Sequence, residues 1–202
     1  GMGRLEEPEI IFDIIKDHFE KKKALKSKKV LITAGPTYEA IDPVRFIGNH
    51  SSGKMGVAIA EAIAEAGADV ELILGPSKEK VFNKSIKVHN VVSAQQMFEK
   101  CKSLFKTSDI AILSAAVADF TPSEVKDFKI KKESGLQSIQ LTETVDILAT
   151  LGNEKSTEQI LIGFALETDN EETNAIKKIK SKNLDLIVLN SLKDKGAGFG
   201  HS

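Results

Sequence analysis

A segment rich in glycine and serine is the strongest chemical signal in the sequence. Residues 48–55 read Gly-Asn-His-Ser-Ser-Gly-Lys-Met, which matches G-x-x-x-x-G-K but ends in methionine, where a P-loop needs a hydroxyl for Mg²⁺. The preceding apolar run ends at Ala34, too early for the direct strand-to-helix connection of a P-loop. Ser51, Ser52 and Gly53 still lead into a predicted helix, whose free N–H groups favour an anion. Serines also cap helices routinely, so spacing alone does not separate an anion site from an ordinary cap.

A run of small residues that ends in a carboxylate is the second signal. Residues 115–118 read Ala-Ala-Val-Ala, and Asp119 follows them at the end of a predicted strand. Small side chains at such a strand end let a flat ligand approach the backbone, and Asp119 can accept hydrogen bonds from hydroxyls or an amine. The alternative is that the alanines pack beneath a helix and Asp119 is solvated.

Two groups of lysines supply positive charge. Lys129, Lys131 and Lys132 lie in a charged loop, which is typical of a solvated surface or of a mobile cover over phosphates. Lys178 and Lys182 lie four residues apart near the end of a predicted helix. Cations are favoured at that end of any helix, so the residues alone indicate a solvated pair.

Arg45 stands out because Arg4 is the only other arginine in the chain. Its guanidinium offers a rigid fork for phosphate or carboxylate, although a surface arginine without a special role is a fair alternative. Cys101 falls in register with apolar residues of one helix and is expected in the core. The sequence has no G-x-S-x-G elbow, no histidine spacing typical of a metal site, and no G-x-G-x-x-G after its first strand.

The composition excludes several classes of protein. The chain has 202 residues, 41% of them hydrophobic, and 28 basic residues against 29 acidic ones give a net charge of −1. This is enough apolar material for a core, and near-neutrality argues against a general nucleic-acid binder. No apolar run approaches the length of a membrane span, and the single cysteine cannot form an internal disulfide. A cytoplasmic protein with no nucleic-acid or membrane partner is expected.

Alternating apolar runs and amphipathic segments must position these residues. The pattern predicts an α/β, Rossmann-like doubly wound fold, with a mostly parallel sheet and helices on both faces. Ligands of such folds bind beyond the carboxyl ends of the strands. Strands are predicted over residues 30–34, 69–74, 87–92, 109–116, 138–141, 159–165 and 185–189, and helices over residues 10–19, 55–66, 94–105 and 170–182.

Seven segments, taken in their order along the chain, resemble the family of phosphopantothenate–cysteine ligase, an enzyme of coenzyme A biosynthesis. The similarity runs from Lys28 to Gly200. Several ordered motifs are far more specific than any one of them. The segments that resemble the family are residues 31–37, 41–47, 49–56, 115–119, 129–132, 163–168 and 183–185.

The N-terminal residues add a second resemblance. Residues 3–10 are similar to the end of the flavin-dependent phosphopantothenoylcysteine decarboxylase domain, which precedes the ligase in bacterial bifunctional proteins. The resemblance implies that residues 1–27 are the tail of that domain and a linker. Residues 28–202 would then be the ligase domain, without the strand and hairpin that follow in the family. FMN is expected only in the missing decarboxylase domain.

The resemblance also implies the reaction. The carboxylate of 4′-phosphopantothenate attacks the α-phosphate of CTP and releases pyrophosphate, and the amine of L-cysteine then displaces CMP from the acyl-cytidylate. The fused N-terminus favours CTP, as in bacterial forms, over the ATP of eukaryotic forms. Mg²⁺ is expected between the phosphates and the protein, and a homodimer is expected. Ligation with ATP and a non-catalytic nucleotide-binding module stay open as alternatives.

Site residues follow from the resemblance position by position. Asn49 matches the asparagine that holds the acyl intermediate, and Lys129 matches a lysine that binds nucleotide and supports amide formation. Residues 131–138 correspond to a flap over bound substrate. The substrate and its phosphate are expected at Gly35, Arg45, Ser51, Ser52 and Gly53. The nucleotide is expected at Leu113, Ser114, Ala115, Asp119, Lys129, Val145, Asp146, Ile147, Leu148, Phe164, Lys178 and Lys182.

Overall fold

A computed structural model describes Ile10, Phe12 and residues 23–131, 138–167 and 171–191. Six parallel strands form the central sheet, which confirms the predicted α/β class. These strands are β1 (Lys29–Ala34), β4 (Asp69–Leu74), β5 (Lys87–Asn90), β6 (Ile110–Leu113), β9 (Ile160–Glu167) and β10 (Leu186–Ser191). Their order across the sheet is β10-β9-β6-β1-β4-β5.

Four helices and two short antiparallel pairs complete the described fold. The strand pairs are β2 (Tyr38–Ala40) with β3 (Phe46–Gly48) and β7 (Phe120–Pro122) with β8 (Leu141–Glu143). The helices are α1 (Lys54–Glu65), α2 (Ala94–Phe105), α3 (Ile147–Glu154) and α4 (Glu171–Ser181). No helix among the described residues combines the length and the apolar character that crossing a membrane requires.

The core lies on both faces of the sheet. Val57 and Ala60 of α1 pack against one face of β1, while Met97 and Cys101 of α2 join the cluster on the other face. Strands buried on both faces read as continuous apolar runs, which is why β1 and β4 are recognisable in the sequence. Cys101 lies in the core as predicted, and burial raises the pKa of its thiol to about 12.

Close approach of α1 to the sheet depends on Gly56. A Cβ at this position would lie 2.5 Å from the Cβ of Ala34 and 2.6 Å from the Oγ of Ser114. Neither distance is compatible with normal packing. The missing side chain therefore lets the start of α1 rest directly on the ends of β1 and β6.

Several predicted boundaries are wrong. The strand predicted over residues 109–116 is shorter in the structure, where β6 ends at Leu113. Beyond it the pairing with the chain after β1 continues as a short bridge between Pro36 and Ala116, because proline has no N–H to donate. The strand predicted over residues 138–141 is instead β8, which begins at Leu141 and pairs with β7. Helix α3 and the β2–β3 hairpin are absent from the prediction. The predicted helix over residues 10–19 lies outside the described residues except for Ile10 and Phe12.

Candidate active site

A cavity of about 480 Å³ opens where β1, β6 and β9 end. This volume is typical of small-molecule sites, and the carboxyl ends of parallel strands are where such folds bind ligands. Apolar side chains and three carboxylates share the lining. The lining residues are Thr33, Met97, Leu113, Ala115, Val117, Asp119, Phe120, Glu143, Thr144, Val145, Asp146, Ile147, Leu148, Phe164 and Lys182.

Most residues expected at the nucleotide site line this cavity. Three of them do not: Ser114 bonds to β1 beside α1, while Lys129 and Lys178 are not among the lining residues. The predicted flap lies outside the described residues except for Lys131 and Ser138. The expected residues that line the cavity are Leu113, Ala115, Asp119, Val145, Asp146, Ile147, Leu148, Phe164 and Lys182.

An ion pair stands in the cavity wall. The Nζ of Lys182 lies 2.7 Å from the Oδ2 of Asp146, and the Oδ1 of Asp146 accepts a hydrogen bond from the N–H of Ala149 at 2.9 Å. Asp146 is thus the N-cap of α3. Burial raises the pKa of Asp146, but the hydrogen bond from Lys182 and those from the α3 backbone outweigh it, so the pKa lies below its usual value. The Asp146 carboxylate therefore carries its negative charge at neutral pH.

A tight contact between α3 and the turn after α4 places Lys182 in the wall. A Cβ on Gly152 would lie 1.9 Å from the C=O oxygen of Lys182, so only glycine permits this approach. Asn183 has a positive φ of 51° and donates from Nδ2 to the C=O of Gly152 at 2.9 Å. From the residues alone Lys182 reads as solvated surface, and that interpretation is wrong.

Apolar side chains and β8 form the rest of the cavity. Leu148 packs over Gly163 of β9, where a Cβ would lie 2.8 Å from its Cδ2. Phe164 and Leu113 add apolar surface. Sequence reasoning misses Glu143 and Thr144, since β8 has three exposed residues with no recognisable period. The Oγ1 of Thr144 donates to the C=O of Ala118 and so ties β8 to the end of the small-residue run.

Asn49 lies where the β2–β3 hairpin meets the end of β6. Its Nδ2 donates to the C=O of Ala116 at 2.8 Å. Stacking of Tyr38 on Phe46, with ring centroids 3.9 Å apart, holds the hairpin together. A Cβ on Gly48 would lie 2.6 Å from the Tyr38 ring, so this glycine lets the chain pass the ring just before Asn49. The hairpin therefore fixes the Asn49 amide beside the small-residue run.

The serine segment lies beside the end of β1. Ser51 accepts a hydrogen bond from the N–H of Gly53, and Ser52 accepts one from the N–H of Lys54, at 3.3 and 3.2 Å. Gly53 is the N-cap of α1, with a φ of 84° and no side-chain cap, so the ordinary serine cap is wrong. A Cβ on Gly53 would lie 3.2 Å from Gly35. The structure thus brings these expected substrate residues together, and the anion site stays a prediction.

Asp42 is a buried carboxylate to which sequence reasoning assigns no role. Its Oδ1 accepts from the N–H groups of Val44 and Arg45 at 2.8 and 2.9 Å. Its Oδ2 accepts from the Nε and Nη2 of Arg45 and from the N–H of Ile130, which lies 3.1 Å away. The Nη2 of Arg45 also donates to the C=O of Ile130 at 2.9 Å. The loop that carries Lys129 is therefore joined to the turn at residues 42–45.

The charge of this cluster is fixed at neutral pH. The hydrogen bond from Arg45 holds the pKa of Asp42 far below its usual value, and the backbone N–H groups of Val44 and Ile130 act in the same direction against burial. The expectation that Arg45 meets a substrate phosphate stays a prediction. In the structure its Nε and Nη2 are hydrogen-bonded to Asp42 and to the Ile130 backbone.

Mg²⁺ has no dedicated cage in the part of the chain that the structure describes. No three His, Cys, Asp or Glu side chains are grouped there as metal ligands, although Asp119, Glu143 and Asp146 all line the cavity. Mg²⁺ in nucleotide enzymes usually takes its ligands from phosphates, water and one or two carboxylates. The residues present fit a Mg²⁺ ion that arrives as part of a nucleotide substrate.

Comparisons with known proteins find a matching family, similar proteins and similar solved structures. Residues 25–202 match the family described as DNA/pantothenate metabolism flavoprotein C-terminal domain. The coenzyme A biosynthesis bifunctional protein CoaBC of Bacillus subtilis (strain 168) is 53% identical over 202 residues, which are 99% of this chain and 50% of that protein. A cysteine/cysteine sulfinic acid decarboxylase from an unknown prokaryotic organism is 55% identical over 205 residues, covering 100% of this chain and 57% of that protein. The chain thus spans little more than half the length of these relatives.

A solved structure matches a larger share of its own length. The crystal structure of the C-terminal domain of coenzyme A biosynthesis bifunctional protein CoaBC superimposes with a TM-score of 0.74 at 46% sequence identity. The match covers 83% of this chain and 79% of that domain.

Proposed function

The chain belongs to the DNA/pantothenate metabolism flavoprotein C-terminal domain family, and from this premise we propose that it joins 4′-phosphopantothenate to L-cysteine with CTP. The observation that carries the proposal is that most of the expected nucleotide positions line one cavity, at the ends of β1, β6 and β9. The products would be 4′-phosphopantothenoylcysteine, CMP and pyrophosphate.

The cavity supports binding of a nucleoside. Phe164, Leu113 and Val117 offer apolar surface for a base, and Asp119 can accept hydrogen bonds from ribose hydroxyls. Lys182 is held in the wall by Asp146, so its positive charge is already positioned when a nucleotide arrives. A charge that needs no reorganisation stabilises a bound anion more than a freely rotating one.

The first chemical step is a substitution at phosphorus. A carboxylate oxygen of 4′-phosphopantothenate forms a bond to the α-phosphorus of CTP, and the bond from that phosphorus to the β-phosphate oxygen breaks as pyrophosphate leaves. Gly35, Ser51, Ser52 and Gly53 lie beside the end of β1 and would hold the substrate phosphate through backbone N–H groups and hydroxyls. Arg45 stays a proposed ligand of the same phosphate.

The second step is acyl transfer to nitrogen. The amine of L-cysteine forms a bond to the acyl carbon, the bond to the CMP oxygen breaks, and the amine loses a proton. Asn49 carries two protons on Nδ2, and the bond to Ala116 fixes the amide plane while a second N–H can meet the acyl carbonyl. Lys129 would offset the negative charge on the departing phosphate.

Pyrophosphate release tests the proposal. The chain, with Mg²⁺, phosphopantothenate and CTP, is expected to release pyrophosphate, and addition of L-cysteine is expected to give an amide. Competition between CTP and ATP in the same assay decides the nucleotide. Binding of nucleotide without turnover would instead support the alternative of a non-catalytic module. The presence of both Asn49 and Lys129, the residues expected to act in the reaction, argues against that alternative.

One relative is named a decarboxylase, and a similar assay tests whether this chain has that activity. Release of CO₂ from cysteine or cysteine sulfinic acid by this chain would contradict the proposal, whereas an amide product would support it. The homodimer, the division at residue 28, FMN in a preceding domain and the cytoplasmic location stay predictions.

A further inference from the structure

The loop that carries Lys129 is joined to the rest of the protein on both sides of this lysine. Before it, the N–H of Lys126 donates to the C=O of Ile41 at 3.1 Å. After it, the N–H of Ile130 donates to Asp42, and the C=O of Ile130 accepts from Arg45. Both attachments end at the turn of residues 42–45 or at Ile41 just before it, although 88 positions of sequence separate Asp42 from Ile130.

Little apolar surface is buried in this part of the loop, where Ile130 is half-buried. Phe128, two residues before Ile130, is 69% exposed, and Lys129 is exposed as well. Asp42, by contrast, is only 3% exposed. Hydrogen bonds that a carboxylate accepts in such a place are stronger than those between neutral groups. The position of Lys129 therefore depends on polar contacts at Ile130 more than on packing.

The two carboxylate oxygens of Asp42 accept hydrogen bonds from different parts of the protein. Oδ1 accepts from the N–H groups of Val44 and Arg45, within the turn itself. Oδ2 accepts from the Arg45 side chain and from the distant N–H of Ile130. An asparagine has one acceptor oxygen instead of two, so it can keep the turn or the attachment to Ile130 but not both.

We propose that Asp42 is a positioning residue, which acts on amide formation by holding the loop that carries Lys129. This inference rests on the proposed function. It differs from a purely structural role, in which Asp42 would only stabilise the turn at residues 42–45.

Hydrogen exchange tests the attachment without any assay of activity. In Asp42→Asn the Ile130 amide is expected to exchange about tenfold faster or more, since it loses an anionic acceptor. Asp185→Asn is the matched control, because Asp185 also accepts from a backbone N–H and a cation, at the other end of the sheet. It should leave the exchange of Ile130 unchanged. Unaltered exchange of the Ile130 amide in Asp42→Asn would overturn the proposal, whether or not the chain is a ligase.

A double-mutant cycle tests the route through Lys129. Asp42→Asn alone is expected to slow amide formation about tenfold, with the KM for CTP within about twofold of the wild type. In a Lys129→Gln background the same change should slow the reaction less than about twofold, because the lysine to be positioned is gone. Equal losses in both backgrounds would overturn the proposal. A wild type without pyrophosphate release would refute the proposed function instead.

Discussion

The two ends of the central sheet use the same chemistry for different purposes. At the amino end, Asp109 accepts from the N–H of Lys29 at 2.7 Å, and Asp185 accepts from the N–H of Leu161 at 2.6 Å. Each of these carboxylates also pairs with a lysine. At the carboxyl end, Asp42 and Asp146 likewise accept from backbone N–H groups and pair with Arg45 and Lys182.

The difference lies in what each carboxylate joins. Asp109 and Asp185 lie just before β6 and β10. Each accepts a hydrogen bond from a backbone N–H at the start of the neighbouring strand, β1 or β9. Asp146 fixes a cation in the wall of a cavity, and Asp42 fixes a loop. The same arrangement of carboxylate, backbone N–H and cation therefore stabilises the fold at one end and positions charge at the other. Substitutions at the amino end should therefore lower the stability of the fold, whereas substitutions at the carboxyl end should lower binding or activity.

The largest expected effect belongs to Lys129→Gln. Loss of this charge is expected to slow amide formation about 100-fold, the scale seen when one stabilising donor is removed from a reaction site. Pyrophosphate release should fall less, because the charge acts on the second step. Rapid-quench measurement of both products checks this. Lys126→Gln is the control from the same loop, since Lys126 pairs with Glu124, and equal loss of both steps in Lys129→Gln would refute the assigned role.

A second pair of variants compares lysines at the two ends. Lys182→Met is expected to weaken CTP binding about tenfold, because a positioned cation is lost from the cavity wall. Lys155→Met should leave CTP binding unchanged and lower the free energy of unfolding by about 1–2 kcal/mol, since Asp185 loses its buried partner. Calorimetric titration and denaturant unfolding measure the two quantities. Equal weakening of CTP binding in both variants would remove the distinction between the ends.

Gly56→Ala tests how closely α1 must approach the sheet. The new Cβ would meet Ala34 and Ser114 at 2.5–2.6 Å, so the free energy of unfolding should fall by about 1–3 kcal/mol. Ala58→Ser, on the exposed side of the same helix, is the control and should change little. Denaturant unfolding checks both. An unchanged Gly56→Ala would mean that α1 can move away from β1 at no penalty.

The smallest expected effect is on acid stability. The pKa of Asp185 lies below its usual value, because the hydrogen bonds from Lys155 and from the N–H of Leu161 outweigh burial, which raises it. A lowered pKa means that this stabilisation is complete above about pH 4, the unfolded pKa, and is lost as the pH falls through the folded pKa. Asp185→Asn should therefore flatten the decline in stability between about pH 5 and 2, by less than about 1 kcal/mol. An unchanged acid profile would contradict this assignment.

Regular elements of the fold were predictable from the sequence. The apolar run of β4 and the spacing of Met97, Cys101 and Phe105 on α2 give these elements with the correct bounds, because burial on two faces and helical periodicity leave local patterns. The paired strands β2, β3, β7 and β8 have three residues each, too few for a period. Helix α3 has eight residues, and only the capping aspartate marks its start.

The candidate site was predictable mainly through resemblance. Without it, Lys182 reads as a solvated residue and Asp119 as either a ligand-binding or a solvated one, since the cavity that they share is built from distant parts of the chain. Asp42 lies in one of the resembling segments, yet its contact with Ile130 spans 88 positions and leaves no local signature. Long-range polar contacts of this kind need a structure.

Trapping the acyl-nucleotide is the most direct test of the proposed ligase. The chain is incubated with Mg²⁺, phosphopantothenate and CTP without cysteine, and the mixture is analysed by mass spectrometry. The expected result is a phosphopantothenoyl-cytidylate together with pyrophosphate, and conversion of the adduct to the amide and CMP when L-cysteine is added. Intact CTP with no adduct, under conditions in which CTP binds, would contradict the proposed function.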